Sequence, residues 1–538
     1  MPSFKLDGKE IPFTPGETII AAAHKVGIEI PNYCWHPGLS IAANCRMCLI
    51  EIESAPNFRP MMLDVLTWNA DKKDYVVDRK PKLQPGCQQV AADGMVIKSE
   101  TSHHVAEARA HVQEFLLLNH PVDCPICDQA GECKLQDYYM TAQHTPKRMV
   151  DEPVHKPKGV VFGDTIVYDA ERCIACTRCI RFCDEIAGDH MLDMRERGNK
   201  FEIVLAPGRT LDGHYTMMTE WVCPVGALTT RYWRHKGRVW VLKGTKSVCP
   251  GCATGCNMWL DADPREQTAF RNRPRENDDV NKHWMCDDGM LTYLRVGNGR
   301  VLEASTGRGK DRTSVSVKEA VAKAATLLGK KGTLGVVLSA QASSEDNLVA
   351  AELARAAGAK LYLSARADWD GDKILRHKDQ NPNRAGVVAV AAGATLGSIA
   401  DLVVDVSDGK VTAVLALGTD TEVDRESLAP LGKLDAFVLV ATHDGPLGQH
   451  ANVTIPAASW AETEGTFVNA KGMSQTFKRA LEPRGASLAA WDAIAQIGRA
   501  MKLDVTYKKF SDVRAALAAR SAPAKSVTDA AAAPSVGA

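Results

Sequence analysis

The chain of 538 residues is 45% apolar and 24% charged, a soluble composition with length for about three or four domains of roughly 150 residues. Lys+Arg and Asp+Glu both total 65, so the basic excess that general nucleic-acid binding needs is absent. The longest nearly apolar stretch, 385–400, is Gly-rich and ends at Asp401, short of the ~20 residues of a membrane span, and MPSFKLDGKE lacks a basic-then-apolar signal pattern. The expectation is a cytosolic-facing protein that does not itself cross a membrane.

All 16 cysteines lie at or before Cys286, and 287–538 contain none. A disulfide framework is disfavoured for a chain read as facing a reducing compartment, which leaves metal or cluster ligation. In chain order, KLDGKEIPF reads as a hairpin about Asp7-Gly8, PGETIIAAAHKVG as a short helix stopped by Gly27, and MCLIEIE as an alternating strand. Within them fall Cys34, Cys45, Cys48 and Cys87, spaced C-x10-C-x2-C…C. This is the order of a β-grasp [2Fe–2S] ferredoxin, with a loop longer than the plant-type C-x4-C and a fourth ligand arriving later.

VAEARAHVQEFLLLNH has apolar positions at helical spacing (Val105, Ala108, Val112, Phe115, Leu116) and should deliver His120 at its C-terminal end. NHPVDCPICDQAGEC then supplies Cys124, Cys127 and Cys133. Three thiolates and a neutral imidazole suit a [4Fe–4S] cluster of altered potential, and zinc is the rival ligand. ERCIACTRCIRFC gives Cys173, Cys176 and Cys179, and WVCPVGAL gives Cys223 before Pro224, the bacterial-ferredoxin run for a [4Fe–4S] cluster. Cys183 has no second run to serve and reads as a buried free thiol. SVCPGCATGCN…WMCDDG supplies Cys249, Cys252, Cys256 and Cys286, a C-x2-C-x3-C…C spacing typical of the small [4Fe–4S] domain that opens molybdopterin oxidoreductases.

From about Ser314 the pattern alternates strand and helix. TLGVVLS, KLYLS, AGVVAV, VTAVLAL and AFVLVAT read as strands, and SSEDNLVAAELARAAG reads as a helix capped by Ser343 or Ser344 and ended by Gly358. The expectation is a doubly wound α/β sheet. No G-x-G-x-x-G follows a strand, so a nucleotide site is not indicated. His443 and His450 read as hydrogen-bonded structure, and the Ala/Ser/Pro-rich tail 521–538 as disorder.

The four ligand sets, in this order and of these types, resemble the large iron–sulfur subunit of bacterial NADH-quinone oxidoreductase, respiratory complex I. The match covers the first ~290 residues; IPAASWAETEGTFVNAKGMSQ also resembles a late molybdopterin-oxidoreductase segment. The resemblance implies an α/β multidomain chain. Its parts are a β-grasp [2Fe–2S] domain (1–95), a histidine-ligated [4Fe–4S] domain (96–150), a ferredoxin-like [4Fe–4S] domain (151–240) and a molybdopterin-oxidoreductase-type [4Fe–4S] domain (241–300). A degenerate, shortened molybdopterin-oxidoreductase α/β domain without molybdopterin (301–520) would follow.

It further implies one [2Fe–2S] and three [4Fe–4S] clusters, and a relay with no catalytic residue of its own. Electrons would come from an NADH-oxidising flavoprotein subunit and pass the Cys34 set, the Cys173 set and then the His120 set, with the Cys249 set off that route. They would leave for a smaller iron–sulfur subunit leading to quinone. The chain would sit among other peripheral-arm subunits on the cytoplasmic face of a bacterial inner membrane. An iron–sulfur subunit of an NAD-linked formate dehydrogenase or hydrogenase complex is the alternative; a catalytic version would need a longer domain or further cysteines after Cys286. A zinc scaffold is the third reading, and it accounts poorly for the Cys34–Cys87 set and the Cys-Pro run.

Overall fold

The computed structural model describes residues 1–56, 59–142, 148–330 and 332–520, and the tail read as disordered lies outside them. The chain divides into two compact units, Met1–Trp240 and Val241–Ala538. Among the described residues no helix is long and apolar enough to cross a membrane.

The first unit opens with β1 (Ser3–Leu6) and β2 (Lys9–Pro12), joined through Asp7 and Gly8, both at positive φ (48° and 81°), as the twist of a two-residue hairpin requires. Helix α1 (Ile19–Lys25) follows and ends before Gly27 at φ 76°. With β3 (Leu49–Ser54), β6 (Gln84–Pro85) and β7 (Val96–Lys98) the strands form a mixed sheet of order β2-β1-β7-β3-β6. Phe4, Ile11, Ile19, Ile20, Ile50 and Ile97 build its core against α1. This is the expected β-grasp layout, and it leaves the loops on either side of β3 to carry cysteines. Between β3 and β6 a separate two-stranded ribbon, β4 (Met62–Asn69) and β5 (Asp74–Pro81), keeps Leu66, Trp68, Tyr75 and Val77 exposed.

Helix α2 (His103–Leu117) forms where its periodicity predicts, with Ser102 capping the Val105 N–H. Its buried face differs from the apolar stripe. Val105, Arg109 and Gln113 point inward, whereas Phe115 is 73% exposed. The reason is unmet backbone polarity. Arg109 donates to the carbonyls of Met47 (3.2 Å) and Leu49 (3.1 Å), and Gln113 donates to Leu135 O (2.9 Å) while accepting from the Tyr33 hydroxyl.

Helix α3 (Lys134–Ala142) packs on α2. The rest of the unit is a small sheet of β8 (Val160–Phe162), β9 (Ile166–Tyr168) and β12 (Leu228–Thr230) with the hairpin β10 (Leu192–Arg195) and β11 (Glu202–Leu205). Two short helices, α4 (Arg178–Phe182) and α5 (Met218–Val222), complete it.

The second unit begins with an antiparallel sheet of β13 (Lys243–Val248), β14 (Asn257–Asp263) and β15 (Thr268–Pro274), then α6 (Asp287–Met290) and α7 (Leu294–Gly297). The larger part is an eight-stranded sheet. Its strands are β16 (Ala304–Thr306), β17 (Thr313–Val315), β18 (Leu334–Ser339), β19 (Lys360–Ser364), β20 (Leu396–Ser398), β21 (Ala413–Leu417), β22 (Ala436–Ala441) and β23 (Val453–Pro456), in the order β17-β16-β23-β22-β21-β18-β19-β20. It is parallel from β23 to β20 and antiparallel at the β16 edge. Helices α8 (Val317–Leu328) and α9 (Ser344–Ala357) cover one face, each opened by a capping box, Ser316 with Glu319 and Ser343 with Asp346. Such a cap contributes about 1 kcal/mol.

AGVVAV, read as a strand, is instead helix α10 (Arg384–Val390). Val387 and Val390 are buried while Val388 is exposed, a spacing of three that suits one helix face and that six apolar residues cannot settle by themselves. A final hairpin, β24 (Gly465–Val468) and β25 (Ser474–Phe477), lies within the SWAETEG segment and its continuation.

Candidate metal centres

At the first site Cys34 lies in the loop after α1, Cys45 and Cys48 precede β3, and Cys87 follows β6. Ala43 and Arg46 at φ 50° and 60° curl the intervening chain. The four thiols converge as two pairs. Cys45 is hydrogen-bonded to Cys34 and Cys48 to Cys87. In each pair the hydrogen bond from the partner holds one thiol low, Cys34 or Cys87, and the other is pushed up. Two pairs of sulfurs are the donor set of a two-iron rhomb, whose irons each take two thiolates.

At the second site His120 stands three residues beyond α2, Cys124 opens a short turn and is exposed, and Cys133 is buried at the start of α3. His120 Nδ1 is buried with no hydrogen-bond partner. Burial, and then the Arg172 guanidinium, lower this imidazole to about 4, so it is neutral and free to donate a lone pair. Cys127 and Cys133 are raised by burial, Cys133 to about 12. Arg172 is an electrostatic neighbour of both His120 and Cys127. A Cβ on Gly226 would lie 2.3 Å from Cys127 Sγ, so only glycine leaves that sulfur room.

At the third site Cys173, Cys176, Cys179 and Cys223 line one small apolar cavity with Tyr168 and Leu228. Ala175 and Thr177, at φ 57° and 61°, fold the C-x2-C-x2-C loop so that three sulfurs face inward, and the Ala175 N–H reaches Cys173 Sγ at 3.4 Å. Burial raises all four thiols, Cys173, Cys176 and Cys223 to about 11. Cys183 is buried in the turn after α4, outside this cavity.

At the fourth site the β13–β14 connection carries Cys249, Cys252 and Cys256, and Cys286 caps α6; all four are buried. The N–H groups of Gly251 and Gly289 reach Cys249 Sγ and Cys286 Sγ at 3.4 Å each. Burial pushes Cys249 up to about 12 and raises Cys256 and Cys286. The SWAETEG continuation clamps this loop: Asn469 donates to Thr254 O (3.2 Å), Gln475 to Gly255 O (2.8 Å), and the Ala470 N–H to Ala253 O (2.8 Å).

The structure therefore gathers each cysteine set that the spacing grouped. Buried thiols that cost energy to ionise alone, and an imidazole with an orphaned nitrogen, are donors that cationic iron would satisfy. Backbone N–H groups aimed at sulfur are the means by which a protein tunes such a group. The arginines that join the sites were not singled out from sequence, although Arg178 and Arg181 stand inside the cysteine run itself. His443 is hydrogen-bonded to Arg295 O (2.7 Å) and to the Thr442 hydroxyl, and His450 to Gln449.

Comparison with known proteins gives four matching family models. They are a 2Fe-2S iron-sulfur cluster binding domain over 2–66, the NADH-ubiquinone oxidoreductase-G iron-sulfur binding region over 109–148, the ferredoxin-like domain of NADH-quinone oxidoreductase subunit 3 over 163–229, and molybdopterin oxidoreductase over 311–500. The chain is 28% identical to the NADH-quinone oxidoreductase-G polypeptide of Streptomyces coelicolor, over 99% of this chain and 62% of that one. It is 33% identical to the corresponding polypeptide of Mycobacterium bovis over 66% of this chain and 42% of the relative. Against that of Rickettsia felis the identity is 28%, covering 96% and 90%. The chain thus spans less than two thirds of the length of the Streptomyces and Mycobacterium relatives.

Proposed function

The chain belongs to the NADH-quinone oxidoreductase-G family, the large iron–sulfur subunits of complex I, and from that membership we propose that it is an iron–sulfur electron relay of such a complex. It would take electrons from an NADH-oxidising flavoprotein subunit toward a smaller iron–sulfur subunit and quinone, at the cytoplasmic face of a bacterial inner membrane. Iron–sulfur clusters supply one-electron transfer without bond making. Cys34, Cys45, Cys48 and Cys87 would hold a [2Fe–2S] cluster. Three [4Fe–4S] clusters would be held by His120 with Cys124, Cys127 and Cys133, by Cys173, Cys176, Cys179 and Cys223, and by Cys249, Cys252, Cys256 and Cys286.

The observation that carries this reading is the adjacency of the first three sites. Arg181 donates to both Cys34 O (2.6 Å) and Cys176 O (3.3 Å), so the first and third sites share a wall. Gly226, three residues past Cys223, abuts Cys127 Sγ, and the Lys134 N–H donates to Pro224 O (3.2 Å), so the third and second sites share another. The order first, third, second is the order that the family resemblance implies for transfer.

The test is electron paramagnetic resonance on anaerobically purified, dithionite-reduced protein, with iron and zinc counted on the same sample. About 14 iron atoms per chain with binuclear and cubane signals is the expected result. Little iron and stoichiometric zinc would overturn it. Cys45→Ser should abolish the binuclear signal and NADH-quinone turnover of the assembly; unchanged turnover would refute the relay role.

A further inference from the structure

Arg178 opens α4 between Cys176 and Cys179 and is buried. Its Nη2 donates to Asn32 Oδ1 (3.1 Å) and to the carbonyl of Trp35, and its Nη1 to the carbonyl of Val222 (3.4 Å). Trp35 follows Cys34 and Val222 precedes Cys223, so one guanidinium ties the ligand loops of two sites together. Its charge acts on Cys176 and Cys223 of one site and on Cys34 and Cys45 of the other. Among the described residues no carboxylate pairs with it. The contrast is Arg172, which meets Asp123 at 3.0 Å and Asp169 at 3.3 Å.

A buried cation without a counter-charge is unfavourable. No carboxylate among the described residues offsets Arg178, whereas cysteine-ligated clusters are anionic and would stand at both of the loops it ties together. Each gains a further negative charge on reduction, so the cation attracts the reduced state more than the oxidised one. We propose that Arg178 is a positioning charge shared by two redox sites: it raises the reduction potentials of the Cys34–Cys87 and Cys173–Cys223 centres together and leaves the gap between them unchanged. The inference rests on both sites holding iron–sulfur clusters. A common bias of this kind lets the protein set how readily the pair is reduced without adding a barrier between its members.

The experiment is a potentiometric titration of the full-length protein followed by electron paramagnetic resonance, after iron has been counted in the unmutated chain. Absence of iron there overturns the functional reading before any variant is compared. In Arg178→Met, both signals should need lower potentials. At the potential where each centre is half reduced in the unmutated protein, the reduced-to-oxidised ratio should fall about tenfold, equivalent to ~59 mV for one electron. The His120 centre, beside the already paired Arg172, should hold. Arg178→Lys keeps the charge and should keep both potentials within about threefold of the unmutated ratio. Should Arg178→Met fail to assemble, Asn32→Asp carries the test, because a carboxylate beside Nη2 neutralises the cation in place and must lower both potentials. One centre moving alone, neither moving, all three moving equally, or Arg178→Lys shifting as far as Arg178→Met would overturn the proposal.

Discussion

Arg300 and Glu462 meet as a bidentate ion pair, Nη1 to Oε1 at 3.0 Å and Nη2 to Oε2 at 2.7 Å, with side chains only 2% and 0% exposed. Arg300 also donates to the carbonyls of Val296, Thr442 and Ala457, and Glu462 accepts the Ser459 N–H. The pair therefore pins the SWAETEG segment to the chain that enters β16. Removing one partner leaves an uncompensated charge indoors, so Glu462→Ala should destabilise the second unit by about 3–5 kcal/mol. Calorimetry on the full chain should show the transition of that unit falling, with the resonance signals of the first three sites intact. An unmoved transition would mean that the pair contributes nothing net.

Gly226→Ala tests the wall between the second and third sites. The new methyl would sit 2.3 Å from Cys127 Sγ and 3.1 Å from Gln129 Cβ, so the sulfur itself would have to shift. The expected outcome is loss of one cubane, about four iron atoms per chain. The binuclear signal should survive, because none of its cysteines approaches Gly226. Retention of the full iron count would show that the loop relaxes and that Cys127 is not fixed.

The β-grasp order was legible in the sequence, and the cysteine spacings proposed four sets, since short intervals between cysteines leave a loop few ways to close. How the sulfurs pair was not legible. Cys34 joins Cys45 and Cys48 joins Cys87 in a loop where residues 43 and 46 take positive φ, and no periodicity announces that. Periodicity also misjudged α2, whose inward face is Arg109 and Gln113, because the carbonyls they satisfy arrive from β3 and α3 by tertiary packing. AGVVAV failed for a plainer reason: a run of six apolar residues fits either a strand or two turns of helix.

Asp261 gives the second unit a pH dependence with a definite sign. Burial would raise its carboxyl, but Arg273 (2.5 and 2.8 Å) and Arg271 (2.8 Å) outweigh burial and hold it below the usual carboxylate value. A carboxyl whose folded pKa is depressed contributes stability that is fully present above its unfolded pKa, about 4. That contribution disappears as pH falls through the lower folded value. Asp261→Asn should therefore cost about 3 kcal/mol at pH 7. The cost should begin to shrink as pH drops below about 4, where the unfolded carboxyl takes up a proton, and should vanish once the folded carboxyl protonates at its lower value. Unfolding midpoints of the two chains across that range supply the check, and a constant difference would exclude linkage at Asp261.

His120→Cys separates ligation from mere proximity at the second site. If the imidazole is a ligand, replacing it with a thiolate adds one negative charge to the group. A more negative group resists an electron, so the potential of that centre should fall while the other signals keep theirs. A zinc ion at this position would give no resonance in either chain, and metal analysis would find it. If the signal is present and its potential does not move, the fourth donor is some group other than residue 120. The outcome is informative in either direction because burial lowers this imidazole to about 4 and keeps it neutral across the working pH range, so the two chains differ by the added thiolate charge alone.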